Sequence, residues 1–143
     1  MTDILDLERF ISQQDASHAQ ALAELRAGLK LSHWIWWELP QLRGLGRSAR
    51  AHEYGLADLE EATRYLAHPV LGPRLVEMCM ALLMHARKPP ESILGPVDAL
   101  KVRSMATLFS HVPGAPAVFK DVLEGFYGGF ACEETLRQLR VIG

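Results

Sequence analysis

Apolar residues recur along this chain at steps of three and four, the spacing that lines up one face of an α-helix. Ile4, Leu7, Phe10 and Ile11 begin the pattern. Leu22, Leu25 and Leu29 continue it in what reads as a second helix, with Asp15 as its cap and Gly28 near its end. Asp58 and Glu61 stand at capping-box spacing ahead of Ala62 and Leu66, and that helix must stop before Pro69. A longer helix from Gly72 to His85 puts Leu75, Met78, Cys79 and Leu82 on one face, and Pro89-Pro90 breaks the chain after it. Gly95-Pro96 starts the next, which should reach His111 and end before Pro113-Gly114. Pro116 opens another that closes at Gly128-Gly129, and a last one begins near Glu133. Convincing strand signals are absent. The expected fold is all-α: a single compact multihelical domain over residues 1–143, with about seven to nine short and medium helices.

One segment does not read as routine packing. Trp34, Trp36 and Trp37 are all the tryptophans of the chain, crowded between Ser32 and Ser48. In a helical turn His33, Trp34 and Trp37 share a face and Trp36 points elsewhere. Three neighbouring indoles cannot all enter one small core, so at least one should line a groove or the surface. Arg43, Arg47 and Arg50 follow, interleaved with Gly44 and Gly46, and Ser48 looks like a helix cap. Glycines let a ligand approach the backbone, and guanidinium groups hold carboxylate or phosphate. The bland alternative is a tight loop with solvated arginines. The spacing is neither a phosphate-binding loop nor a dinucleotide fingerprint.

A second interruption lies on the helix after Pro96. Val97, Lys101, Ser104, Leu108 and His111 fall on one face, where Lys101 and Ser104 break an otherwise apolar stripe. Either Lys101 extends its tip to water or both residues face a polar pocket. Arg103 belongs to another surface. The order lysine then serine is the reverse of the penicillin-enzyme motif, which speaks against a Ser–Lys nucleophile.

Composition narrows the function classes. Hydrophobic residues make 49% and charged ones 22%, which excludes a disordered chain. Fifteen Lys and Arg against seventeen Asp and Glu give a formal charge of -2, so duplex DNA is not an expected partner. Acids interrupt the apolar residues of the first ten positions, unlike a secretory signal, and no apolar run approaches a membrane span. The expectation is a cytoplasmic protein with Cys79 and Cys132 as reduced thiols. No histidine or cysteine has metal-ligand spacing, and neither a metal nor a cofactor is expected. His18, His52, His68 and His111 read as surface or capping residues. Glu38, Glu53 and Asp98 could serve as acid or base, though nothing pairs them.

Several runs together resemble one bacterial family. Leu25-Arg26-Ala27-Gly28-Leu29-Lys30, then His33-Trp34-Ile35-Trp36-Trp37-Glu38-Leu39-Pro40-Gln41-Leu42-Arg43-Gly44-Leu45-Gly46, then Tyr65-Leu66-Ala67-His68-Pro69-Val70-Leu71-Gly72 carry the likeness. It returns at Ile93-Leu94-Gly95, at Asp98, from Lys101 to Phe109 and at Phe126-Tyr127-Gly128-Gly129. The chain resembles domain-of-unknown-function family 1810, whose members are sometimes labelled calpastatin. The resemblance implies an all-helical fold and leaves activity open. The family's prominent residues fall on His33, Trp34, Trp36, Pro40, Gln41, Gly44, Gly46, Lys101, Ser104 and Phe109. The chain departs from its pattern at Glu38, where an apolar residue is usual, and at Met105-Ala106, which removes a hydroxyl beside Ser104. Cys132 stands where an acidic helix cap is common.

The functional expectation is a small-ligand site where the Trp-rich segment meets the Lys101–Ser104 face. Trp34 or Trp37 would stack on a flat group. Arg43 and Lys101 would hold an anion, such as that of a nucleotide, while His33 and Gln41 fix its orientation and Ser104 adds a hydroxyl. The alternatives are a hydrolase or transferase acting on a nucleotide conjugate, and a protein-interaction module that uses the indoles.

Overall fold

The computed structural model describes residues 2–142. The chain forms α1 (Thr2–Ala27), α2 (Ile35–Glu38), a 3-10 turn (Arg43–Leu45), α3 (Ala49–Glu53), α4 (Leu59–Ala67), α5 (Leu71–Leu83), α6 (Pro90–Leu94), α7 (Pro96–Ser110), α8 (Val118–Tyr127) and α9 (Glu133–Ile142). Among the described residues there is no strand; Leu42 and Leu56 form an isolated parallel bridge. The all-α expectation is met.

Two boundaries differ from the expected ones. The first two helices are a single helix, because no glycine or proline separates Phe10 from Ala21 and Asp15 is a helix residue, not a cap. Asp15 instead accepts a hydrogen bond from Arg74 Nη2 at 3.1 Å. The proline break is followed at once by α6, with Pro90 in its first turn. Five residues are too few to show a period.

The other ends follow sequence chemistry. Gly28 takes φ +82° just beyond α1. Asp58 accepts from Glu61 N–H at 2.9 Å, while Glu61 reaches back to Ala57 N–H at 2.7 Å. Extended His68 ends α4 before Pro69, and its Nδ1 accepts from the N–H groups of Val70 and Leu71 at the start of α5. Gly72 is forced by packing: a Cβ there would stand 2.1 Å from the Leu66 carbonyl oxygen. This contact lets α4 and α5 meet at 90°.

α7 runs through the middle. From Val102 to Phe109 every residue but Arg103 is buried, which explains why its apolar residues do not form one clean stripe. A file of aromatic rings joins four helices: Phe10 of α1 meets Tyr65 of α4 edge-on at 5.0 Å, Tyr65 meets Phe109 of α7 at 5.5 Å, and Phe109 stacks on Phe119 of α8 at 5.4 Å. The buried Tyr65 hydroxyl accepts from Gln14 Nε2 at 2.9 Å. No single helix among the described residues is long and apolar enough to cross a membrane.

Candidate functional site

The Trp-rich segment begins with one helical turn, α2. Three indoles then take three environments. Trp34 is 1% exposed, and its N–H donates to Glu24 Oε1 at 2.9 Å. Glu24 also accepts from the Leu31 and Ser32 N–H groups and from Ser32 Oγ. Burial opposes its charge, but these donors outweigh it and hold the carboxyl down at about 2. Trp37 is buried too, its N–H donating to Ser17 Oγ at 2.9 Å. Trp36 is the half-buried one, and among the described residues its N–H has no hydrogen-bond partner.

Trp36 lines a recess with Gln41, Tyr54 and Lys101. Lys101 Nζ lies 4.9 Å from the Trp36 ring centre and Arg50 Cζ 5.1 Å from it. Asp98 pairs with Lys101 at 3.3 Å and with Lys30 at 2.8 Å, so a single carboxylate answers two lysines. Gln41 is held by its backbone, whose carbonyl accepts from Leu56 N–H at 2.9 Å. Its side-chain amide has no partner among the described residues. The recess has a volume of about 10 Å³, room for one water.

Tertiary folding thus joins Gln41 and Lys101, and it puts Trp36 where the sequence reading put Trp34 or Trp37. Those two indoles sit in the core with their N–H groups satisfied, which removes them as stacking walls and as a surface patch for a partner. Arg43 is half-buried beside the recess, its Nε donating to the His52 carbonyl at 2.9 Å. His33 is exposed and does not line the recess. Ser104 is 6% exposed and turns toward α9, sharing its hydroxyl between the Leu100 carbonyl at 3.1 Å and Cys132 Sγ at 3.3 Å.

The glycines serve the chain itself. A Cβ on Gly46 would stand 2.2 Å from Ala51 Cβ, one on Gly55 2.3 Å from Arg43 Cα, and Gly44 offers its carbonyl to Gln138. Ser48 caps α3 by accepting from Ala51 N–H at 3.1 Å, as its position suggested. Arg103 does face another surface, donating to the carbonyls of Phe130 and Ala131.

Two features were not read from the sequence. His18 is neither surface nor cap. It lies between two carboxylates, Glu38 on Nδ1 at 2.8 Å and Glu77 on Nε2 at 3.1 Å. Glu38, 1% exposed, also accepts from Ser17 Oγ at 2.7 Å. The hydrogen bond to Glu38 raises the His18 pKa, burial opposes the rise, and Glu77 adds to it. The second feature is a groove beside α5, whose outer residues Pro73, Val76, Glu77, Met80 and Met84 repeat at helical spacing. That second apolar stripe was visible in the sequence as a helix too apolar for one face.

The profile of the family described as "Protein of unknown function (DUF1810)" matches residues 4–139. The chain belongs to the DUF1810 family. Its fold is also that of a solved structure, the conserved hypothetical protein Rv1873 from Mycobacterium tuberculosis, at 42% sequence identity and a TM-score of 0.92. The match covers 94% of this chain and 96% of that one. No curated protein matches the chain. As DUF1810 carries no activity in its description, membership explains the fold and leaves the chemistry to the residues.

Proposed function

We propose that this DUF1810 protein binds a small anion carrying a flat, nucleotide-like group at the Trp36–Gln41–Lys101 recess. The observation that carries the reading is the Trp36 indole, which has an N–H donor unmet among the described residues and two cations, Lys101 and Arg50, within about 5 Å of its ring. An acceptor oxygen would satisfy the N–H. Lys101 and Arg50 would answer the charge, and the Gln41 amide would fix orientation. Lys101 lines the recess and is partly exposed, and swinging its tip aside would widen the recess for a ligand larger than water, with exposed Arg50 at its rim. His33, Arg43 and Ser104 then act outside the contact shell.

A thermal-melting screen with nucleotides, sugar phosphates and inorganic polyanions tests this. A ligand at a hundred times its dissociation constant adds about 2.7 kcal/mol to stability. The melting shift should disappear in Lys101→Met and shrink in Trp36→Phe, both of which leave the core intact. An unchanged melting temperature across the whole panel would refute the proposal.

A further inference from the structure

A cavity far larger than the recess lies apart from it and shares no lining residue with it. It is a groove of about 1080 Å³, at the upper end of the range of small-molecule sites. Its floor is the right-angled junction of α4 and α5, with Thr63, Leu66 and Ala67 on one side and Pro73, Val76 and Met80 on the other. Val112, Pro113 and Pro116, between α7 and α8, make the far wall. Met80 and Met84 stand at the edge, 59% and 67% exposed. Two flexible thioethers held in water beside rigid proline surfaces make an adaptable apolar lining that nothing among the described residues covers.

Charge at the groove selects the occupant. Two charged residues line it, Glu77 and Arg26. Glu77 already receives a hydrogen bond from His18. Arg26 is 57% exposed, its contact with Glu77 is 3.6 Å, and among the described residues its guanidinium donates no hydrogen bond. Arg26, ion-paired to Glu77 but with its N–H groups making no hydrogen bond among the described residues, is therefore the cationic donor of a mostly apolar trough. We infer that the α4–α5 groove binds an amphipathic small molecule, an apolar body with one anionic group that pairs with Arg26. This site is independent of the recess around Trp36.

The probes are 1-anilinonaphthalene-8-sulfonate and N-phenyl-1-naphthylamine, which share a ring system and differ in the sulfonate. The folded protein should bind the sulfonate saturably, and about fivefold more tightly than the neutral probe, the limit for a solvent-exposed ion pair. Arg26→Leu should erase that difference while the neutral probe still binds. Met80→Glu/Met84→Glu, at exposed positions that leave the core untouched, should weaken both probes by about tenfold or more. Equal affinity for the two probes in the native protein overturns the inference, as does full binding by the double Glu variant. So does a native dimer that this variant converts to monomer, because the groove would then be filled by a second copy of the chain.

Discussion

His18 Nδ1 lies 2.8 Å from Oε1 of Glu38, a carboxylate that is 1% exposed. The pair joins α1 to α2, and Glu77 on the other imidazole nitrogen ties both to α5. Arg74 of α5 also faces this group; its Nη2 pairs with Asp15 of α1, and Arg26 lies near Glu77. A histidine held protonated stabilises the fold below its unfolded value of about 6.5. That contribution is lost as pH rises through the raised folded value. The melting temperature should therefore fall as pH climbs above 6.5.

Removing the imidazole should be costly. His18→Gln removes the cation that answers Glu38 and leaves it the Ser17 hydroxyl, and breaking a buried pair costs about 3 kcal/mol or more. Urea unfolding at pH 6 measures the loss. The same variant should show a flatter dependence of stability on pH above 6.5. A variant as pH-dependent as the parent would clear His18 of the effect.

The two cysteines should differ in reactivity. Cys79 is fully buried, and burial pushes its thiol up to about 12. Burial also opposes charge on Cys132, but the Ser104 hydroxyl and the first N–H groups of α9 outweigh it and lower its pKa. Iodoacetamide at neutral pH should modify one thiol per folded chain, at Cys132, as peptide mass mapping would read. Ser104→Ala should slow the reaction by up to about tenfold, the worth of one hydrogen bond.

Gly46→Ala tests whether the glycine serves packing or a ligand. The new Cβ meets Ala51 Cβ at 2.2 Å, and overpacking of that kind costs about 1–3 kcal/mol. Adding Ala51→Gly should restore part of the stability, less the helix cost of the second glycine. If the single variant is as stable as the parent, steric closeness is not what requires Gly46.

Glu24 anchors the entry to the Trp-rich segment. Its low pKa means that its stabilisation is complete above the unfolded value near 4.5 and is lost as pH falls through about 2. Glu24→Gln turns an amide NH2 toward donors from Leu31, Ser32 and Trp34. A loss of about 2 kcal/mol is expected from donors left unsatisfied. Guanidinium unfolding followed by tryptophan fluorescence would detect it, and parent-like stability would show that Trp34 does not depend on this carboxylate.

Helix identity was legible because it is written locally. Capping at Asp58 and Ser48, the stop at Pro69 and the positive φ at Gly28 each depend on a few consecutive residues. The break expected at Asp15 rests on its cap chemistry alone; no glycine or proline interrupts the chain there, and Asp15 lies inside α1 with its carboxylate turned to Arg74 of α5. One indole of the three was expected at a surface, and the choice among them was not legible. It depends on which side of a single turn faces Glu24 and Ser17, two residues of another helix.

By itself the chain determined its helical class, most of its helix ends and the pairing of aromatic and cationic residues around position 36. These follow from periodicity, caps and composition, which act over a few residues. Tertiary structure decided that Trp36 and not Trp34 meets Lys101, that Ser104 turns to Cys132, that His18 sits between two acids and that α5 leaves a groove. Those contacts join residues tens of positions apart, and their partners are chosen by how whole helices pack, which no local pattern encodes.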